Sequence, residues 1–337
     1  MLDRVGLIEG VLRLRSRLGS PYLTVLTYHR VFDVPEEYQF DRGVVDVGPE
    51  AFDAQLKVLG RYFNVVGIDE ICAHYAGEQK LPANAAVVTF DDGYLDNLQF
   101  AAPILKDNGM RGVFFIATQY IEDRRIYWWD RINYLLHHAD PGRRRVELTY
   151  PTRLTLDLGA DRSAALGTLL QLFKIQFALD VERVLAELAE GLGVPWDLEL
   201  ERTLSDGFVM TWDDVRSLRK MGMDIGSHTR SHRALQTVPL DQLASELSGA
   251  KEDLERELGE PISSISYPIG RSIATLGPIR QALKDAGYKV GFTNASGAQP
   301  LWGESDCFDL RRIAVEPEYQ GSFFRGVLAV PQLGYDD

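Results

Sequence analysis

Short apolar runs recur along this chain, separated by helical spacings, and most of them close on polar residues. Leu23-Thr24-Val25-Leu26-Thr27-Tyr28 leads into His29, Ala85-Ala86-Val87-Val88-Thr89-Phe90 into Asp91-Asp92-Gly93, and Met223-Asp224-Ile225-Gly226-Ser227 into His228. Phe63 to Val66, Val113 to Ile116, Ile262 to Tyr267, Val290 to Phe292 and Asp309 to Val315 repeat the pattern. Between them lie stretches with one apolar face, such as Phe52, Leu56 and Leu59 after Pro49, or Leu98, Ala101, Ala102 and Leu105 before Gly109. Strand-sized runs alternating with helices mean parallel α/β architecture. Six to eight strands suit a closed or nearly closed barrel, where chemistry gathers at the C-terminal ends of the strands. His29, Asp91, Asp92, His228 and Tyr267 all fall at such ends.

The rhythm breaks over residues 120–207, a mostly helical stretch too long for an ordinary βα connection. It reads as an inserted subdomain with a small hairpin near 146–158. The expected plan is an amphipathic helix over 1–20, a barrel from 21–119 and 208–320, the helical insertion over 120–207, and a tail over 321–337. In the first segment charges interrupt the apolar positions, so it is expected to pack on the domain rather than act as a signal peptide. Contact with a membrane surface is the other reading. No stretch is long and apolar enough to span a bilayer.

A net charge of -13, spread along the chain, argues against a broad nucleic-acid surface. Cys72 and Cys307 are the only cysteines. They make neither a disulfide framework nor a thiolate metal cluster, and they fit a reducing, cytoplasmic compartment.

His228 and His232 stand four apart, a spacing that directs two imidazoles to one centre when the backbone turns like a helix. Two histidines and one carboxylate hold a catalytic divalent metal and leave a position open for water. Zinc suits the donor set best, with cobalt, nickel or iron as alternatives. Of the adjacent Asp91 and Asp92, one can ligate while the other takes a proton.

Thr89-Phe90-Asp91-Asp92-Gly93 and His228-Thr229-Arg230-Ser231-His232 resemble the first two motifs of the polysaccharide deacetylase family, also called the NodB-homology or carbohydrate esterase family 4 domain. The resemblance covers about residues 23–116 and 210–315. It implies a distorted (β/α)7-type barrel and a metal-dependent hydrolase that removes acetyl from an N-acetylated sugar or glycoconjugate. Asp92, His228 and His232 would hold the metal, and Asp91 would be the general base. Ser266-Tyr267-Pro268-Ile269-Gly270 resembles a variant third motif, with the Tyr267 amide as oxyanion donor. That motif's arginine is missing, and Arg312 is expected to orient Asp91 instead. The usual C-terminal histidine is also missing, and His29 is expected to serve as general acid. Tyr94, Tyr267, Trp128 and Trp129 are the expected substrate contacts. The alternatives are a related hydrolase of amides or cyclic imides and an inactive glycan-binding homologue. Oligomeric state is left open.

Overall fold

In a computed structural model, residues 6–159, 162–270, 272–302 and 305–330 are described. Seven parallel strands close a barrel: β1 (Tyr22–Tyr28), β2 (Ala85–Phe90), β3 (Val113–Ile116), β4 (Asp224–Ser227), β5 (Ser264–Ser266), β6 (Val290–Ser296) and β7 (Leu310–Ala314). Closure comes from β1, which pairs with β2 on one side (Leu26 opposite Val88) and with β7 on the other (Leu26 opposite Ile313). Asn64–Val65 adds a short parallel strand beside β2, and Gln299–Pro300 an antiparallel one beside β1. The barrel is therefore distorted, with extra strands on its flank.

Side chains on a strand alternate between two faces, and here the two faces belong to two separate cores. Leu26, Tyr28, Val88, Phe90, Phe114, Ile225 and Ile265 pack outward against helices such as Pro49–Tyr62. Leu23, Val25, Val87, Val113, Phe115, Val290, Phe292 and Leu310 form the second core, inside the barrel, joined by Ile68 and Ile71. The interior is narrow. A Cβ on Gly226 would stand 2.5 Å from the Phe115 ring and 2.7 Å from Ser264 Oγ, so only glycine fits there.

Two helices carry an irregular first turn. Asn97–Ala101 and Ser245–Gly249 are single π-helical stretches, each running into an α-helix, at Ala102–Asp107 and Ala250–Leu258. Among its described residues the inserted segment holds the helices Trp128–His138, Ser163–Ile175, Val181–Leu192 and Leu198–Asp206. The expected hairpin is present as Arg145–Leu148 against Leu154–Asp157. No helix among the described residues is long and apolar enough to cross a membrane. Cys72 and Cys307 are both free thiols.

Candidate metal centre and active site

The alternation that fills the barrel also builds the site. Continuing the interior positions of β1 past Leu23, Val25 and Thr27 reaches His29. Continuing β2 past Ala85, Val87 and Thr89 reaches Asp91. On the same parity Gly226 leads to His228, Ser264 to Ser266, Phe292 to Asn294, and Leu310 to Arg312. Six polar side chains thus arrive together above an apolar barrel.

Asp92 has the wrong parity and reaches the cluster by a backbone device. Its φ is +78°, and Gly93 follows at +107°. This left-handed turn swings the carboxylate back over the barrel mouth. Thr229 (φ +61°) and His232 (φ +55°) are also left-handed. Such conformations cost non-glycine residues about 1–3 kcal/mol and concentrate at functional sites.

Asp92, His228 and His232 are all buried, with their candidate ligand atoms within 4.8 Å of one another. Asp92 Oδ1 lies 3.1 Å from His232 Nε2 and 3.4 Å from His228 Nε2. His228 Nδ1 lies 2.9 Å from the Ser266 carbonyl, which can only accept. The proton of a neutral His228 therefore sits on Nδ1, and Nε2 offers a lone pair to the cluster. Burial pushes His232 below the ordinary imidazole value, which favours the neutral ligand form. Burial opposes the Asp92 charge, and positive charge facing it, from a protonated His232 or from a cation between neutral rings, outweighs this and holds it ionised. Asp92 Oδ1 accepts no hydrogen bond although buried. An ionised oxygen and two lone pairs in one dry spot leave a gap that a divalent cation fills.

Asp91 sits beside this cluster and is held from another side. Arg312 Nη1 lies 2.9 Å from its Oδ1 and 2.8 Å from its Oδ2, and Ser266 Oγ donates to Oδ2 at 3.2 Å. Arg312 is itself fixed, donating from Nε to the Thr293 carbonyl at 3.1 Å and from Nη2 to Asn294 Oδ1. Burial would raise Asp91, yet Arg312 above all, then His228 and His29, keep it below the usual carboxylate range. His29 is 32 % exposed, and its Nδ1 faces Asp46 Oδ1 at 3.5 Å. Asp46 also accepts from the backbone N–H groups of His29 and Arg30. Burial opposes a charge on His29, but Asp46, helped by Asp92 and Asp91, raises it to about 10.

Four expected contacts are corrected. The Tyr267 N–H already donates to the Phe292 carbonyl at 3.0 Å, so it is spent on the β5–β6 ladder and not free as an oxyanion donor. The Tyr267 ring is fully buried, and its hydroxyl donates to the Phe308 carbonyl. Tyr94 is fully buried too and donates to Asp130 Oδ2 at 2.7 Å. Trp128 and Trp129 are each 5 % exposed. Trp128 stacks on Phe173 within the insertion, while Trp129 gives its Nε1–H to Tyr94 Oη. None of these side chains presents an open face to a sugar.

Trp129 does touch the site from behind. Its ring centroid lies 4.4 Å from that of His232, and Tyr127 stacks on it at 4.8 Å. The Tyr127 hydroxyl donates to the Asp92 carbonyl at 2.9 Å. The start of the insertion thus braces two of the three cluster residues. Asp46 and Ser266 were missed by the sequence reading. Asp46 had a signal, a lone carboxylate between Val45 and Val47 in a buried strand.

A family model described as polysaccharide deacetylase matches residues 78–291. His29 and Arg312 fall outside that span. A curated relative, the putative polysaccharide deacetylase YxkH of Bacillus subtilis, is 22 % identical over 280 residues, covering 82 % of this chain and 68 % of its own. Among solved structures, IcaB from Ammonifex degensii superposes with a TM-score of 0.57 at 19 % identity, covering 93 % of this chain and 98 % of its own. The Streptococcus pyogenes deacetylase PplD, solved with acetate, gives 0.56 at 16 % identity over 90 % of this chain and 96 % of its own. At these identities the structures establish the shared fold, while the family match spans more than half of the sequence. With the two motifs converging at the barrel mouth, the chain belongs to the polysaccharide deacetylase family.

Proposed function

We propose that this protein is a zinc-dependent hydrolase that removes the N-acetyl group from an amino sugar in a glycan or glycoconjugate. The observation that carries the reading is the convergence of Asp92, His228 and His232 beside an Asp91 held by Arg312. When bound, the metal supplies Lewis acidity for the acetyl carbonyl and lowers the pKa of the attacking water.

The chain's own residues divide the remaining work. Asp92, His228 and His232 hold the cation. Asp91 accepts the proton of the attacking water, and its lowered pKa keeps it ionised and ready at neutral pH. Arg312 and Ser266 fix the carboxylate's direction by hydrogen bonds to its oxygens. His29, kept protonated by Asp46, donates its proton to the leaving nitrogen. The products are acetate and a free amine on the sugar.

The substrate class proposed is a small soluble or carrier-linked glycan rather than a crystalline polymer, because the inserted helices add bulk next to the site. The free thiols suit a reducing compartment. The test is acetate release from N-acetylglucosamine conjugates by metal-loaded and chelated protein. Metal-dependent acetate with a matching yield of free amine is expected. Ring-opened product from a cyclic imide without acetate release would overturn the assignment, and so would best activity on insoluble chitin for the substrate class.

A further inference from the structure

The helix Leu7–Leu18 buries only one of its two apolar faces. Leu12 is buried, and Ile8 lies 4.0 Å from the position a Cβ on Gly326 would take, in the helix Gly321–Ala329. Leu7, Val11, Leu14 and Leu18 point elsewhere and are 51, 37, 57 and 76 % exposed. Their spacings of four, three and four residues, at about 3.6 residues per turn, set them in one line along the helix. Scattered exposed leucines are ordinary, but a continuous stripe of them is not.

Two further features accompany the stripe. Trp302, 52 % exposed, packs edge-on against Tyr22, which follows Leu18 closely in the chain. Positive charge also collects here. Arg13 and Arg17 stand exposed on the helix against Glu9, in a chain of net charge -13. The Arg13 and Arg61 side chains are 65 and 69 % exposed around Glu9. An otherwise acidic protein therefore presents a net positive segment along an exposed apolar line.

That combination suits an acidic lipid surface. Leucines sink to the acyl boundary, arginines remain at the headgroups, and a tryptophan sits at the interface. A second copy of the chain is a poorer occupant, since two-fold pairing would set arginines against arginines. We propose that the helix Leu7–Leu18 docks this protein on a bilayer surface rich in acidic phospholipid. The helix ends near the N-terminal ends of the strands, where Asn84 Nδ2 donates to the Ser16 carbonyl and Arg15 Nη2 reaches Thr24 Oγ1 at 3.5 Å. His29 and Asp91 lie at the other pole, so the docked enzyme opens its site away from the bilayer.

The test is co-sedimentation of the full chain with vesicles of equal parts phosphatidylglycerol and phosphatidylcholine, compared with phosphatidylcholine alone. Binding to the acidic vesicles that weakens with salt is expected. The double substitution Leu14→Glu with Leu18→Glu should lower it about tenfold or more while leaving the circular dichroism and melting curve unchanged. The proposal is overturned if the wild type ignores acidic vesicles or if the variant binds them equally well. It is also overturned if light scattering shows a wild-type dimer that the variant separates, which would make the stripe a subunit interface.

Discussion

Replacing Arg312 by methionine removes the cation from a pair whose side chains are each only 2 % exposed. Methionine fills much of the volume but donates nothing. Asp91 then keeps Ser266 as a hydrogen-bond donor, and the Thr293 carbonyl loses the Nε–H that it accepts at 3.1 Å. Stranding one member of a buried pair costs about 3–5 kcal/mol, and that is the loss expected near neutral pH. The pH dependence follows from the sign of each shift. In the wild type Asp91 lies below its unfolded value, so its contribution is present above about pH 4 and is lost as pH falls through the native value. In the variant burial dominates and the Asp91 pKa rises above the unfolded value. The penalty is then absent in acid and grows as pH increases. Urea unfolding of the chelated protein should therefore show a gap between the two proteins that is wide near neutrality and closes toward acid. The acid limb of kcat/KM should move to higher pH in the loaded enzyme. A loss below about 1 kcal/mol that is equal at both pH values, with an unmoved acid limb, would refute this account of how Asp91 is held.

The other expectations concern the same cluster. His232→Gln should abolish stoichiometric metal uptake, measured by elemental analysis after dialysis; full occupancy would remove His232 from the ligand set. His29→Gln should leave metal content unchanged and lower kcat by about 10²–10⁴; loss of metal instead would show a ligand role. Because the native pKa of His29 is raised to about 10, its stabilisation is complete below the ordinary imidazole value and is lost as pH rises toward 10. Asp46→Asn should pull the alkaline limb of activity to lower pH, and an unmoved limb would refute the pairing. Trp129→Leu should weaken metal binding about 10–100-fold in a competition titration, since the ring braces His232; unchanged affinity would reduce the tryptophan to packing.

The barrel was legible because its signal is local. Each strand carries its own apolar run, and period-two alternation in Leu23, Val25, Thr27 and His29, or in Val87, Thr89 and Asp91, already says which residues share a face. The metal cluster was legible for a related reason, since its residues close two such runs. The misplaced contacts share a different cause. Nothing near Tyr267 in sequence reveals that the Phe292 carbonyl will take its N–H, and nothing near Trp128 reveals Phe173. Tyr94 and Trp129 look like sugar platforms by residue type, but partners from other elements decide whether an aromatic ring is a surface or a filling. Arg312 meets Asp91 across 221 residues. That pairing was reached through a family motif and its missing arginine, a route that spacing alone does not offer.

Closure of the barrel between its first and last strands has a consequence for how the protein is made. A ribosome releases all three cluster residues once His232 has emerged, but β1 then still lacks its neighbour on one side. Only when β7 arrives can Leu26 meet Ile313 and Arg312 reach Asp91. The Ser266 carbonyl that sets the His228 tautomer and the Arg312 that holds Asp91 both follow His232 in the chain, so the site is finished only by the later strands. A chain that stops before β7 would lack the Arg312 contact and leave Asp91 without its cation.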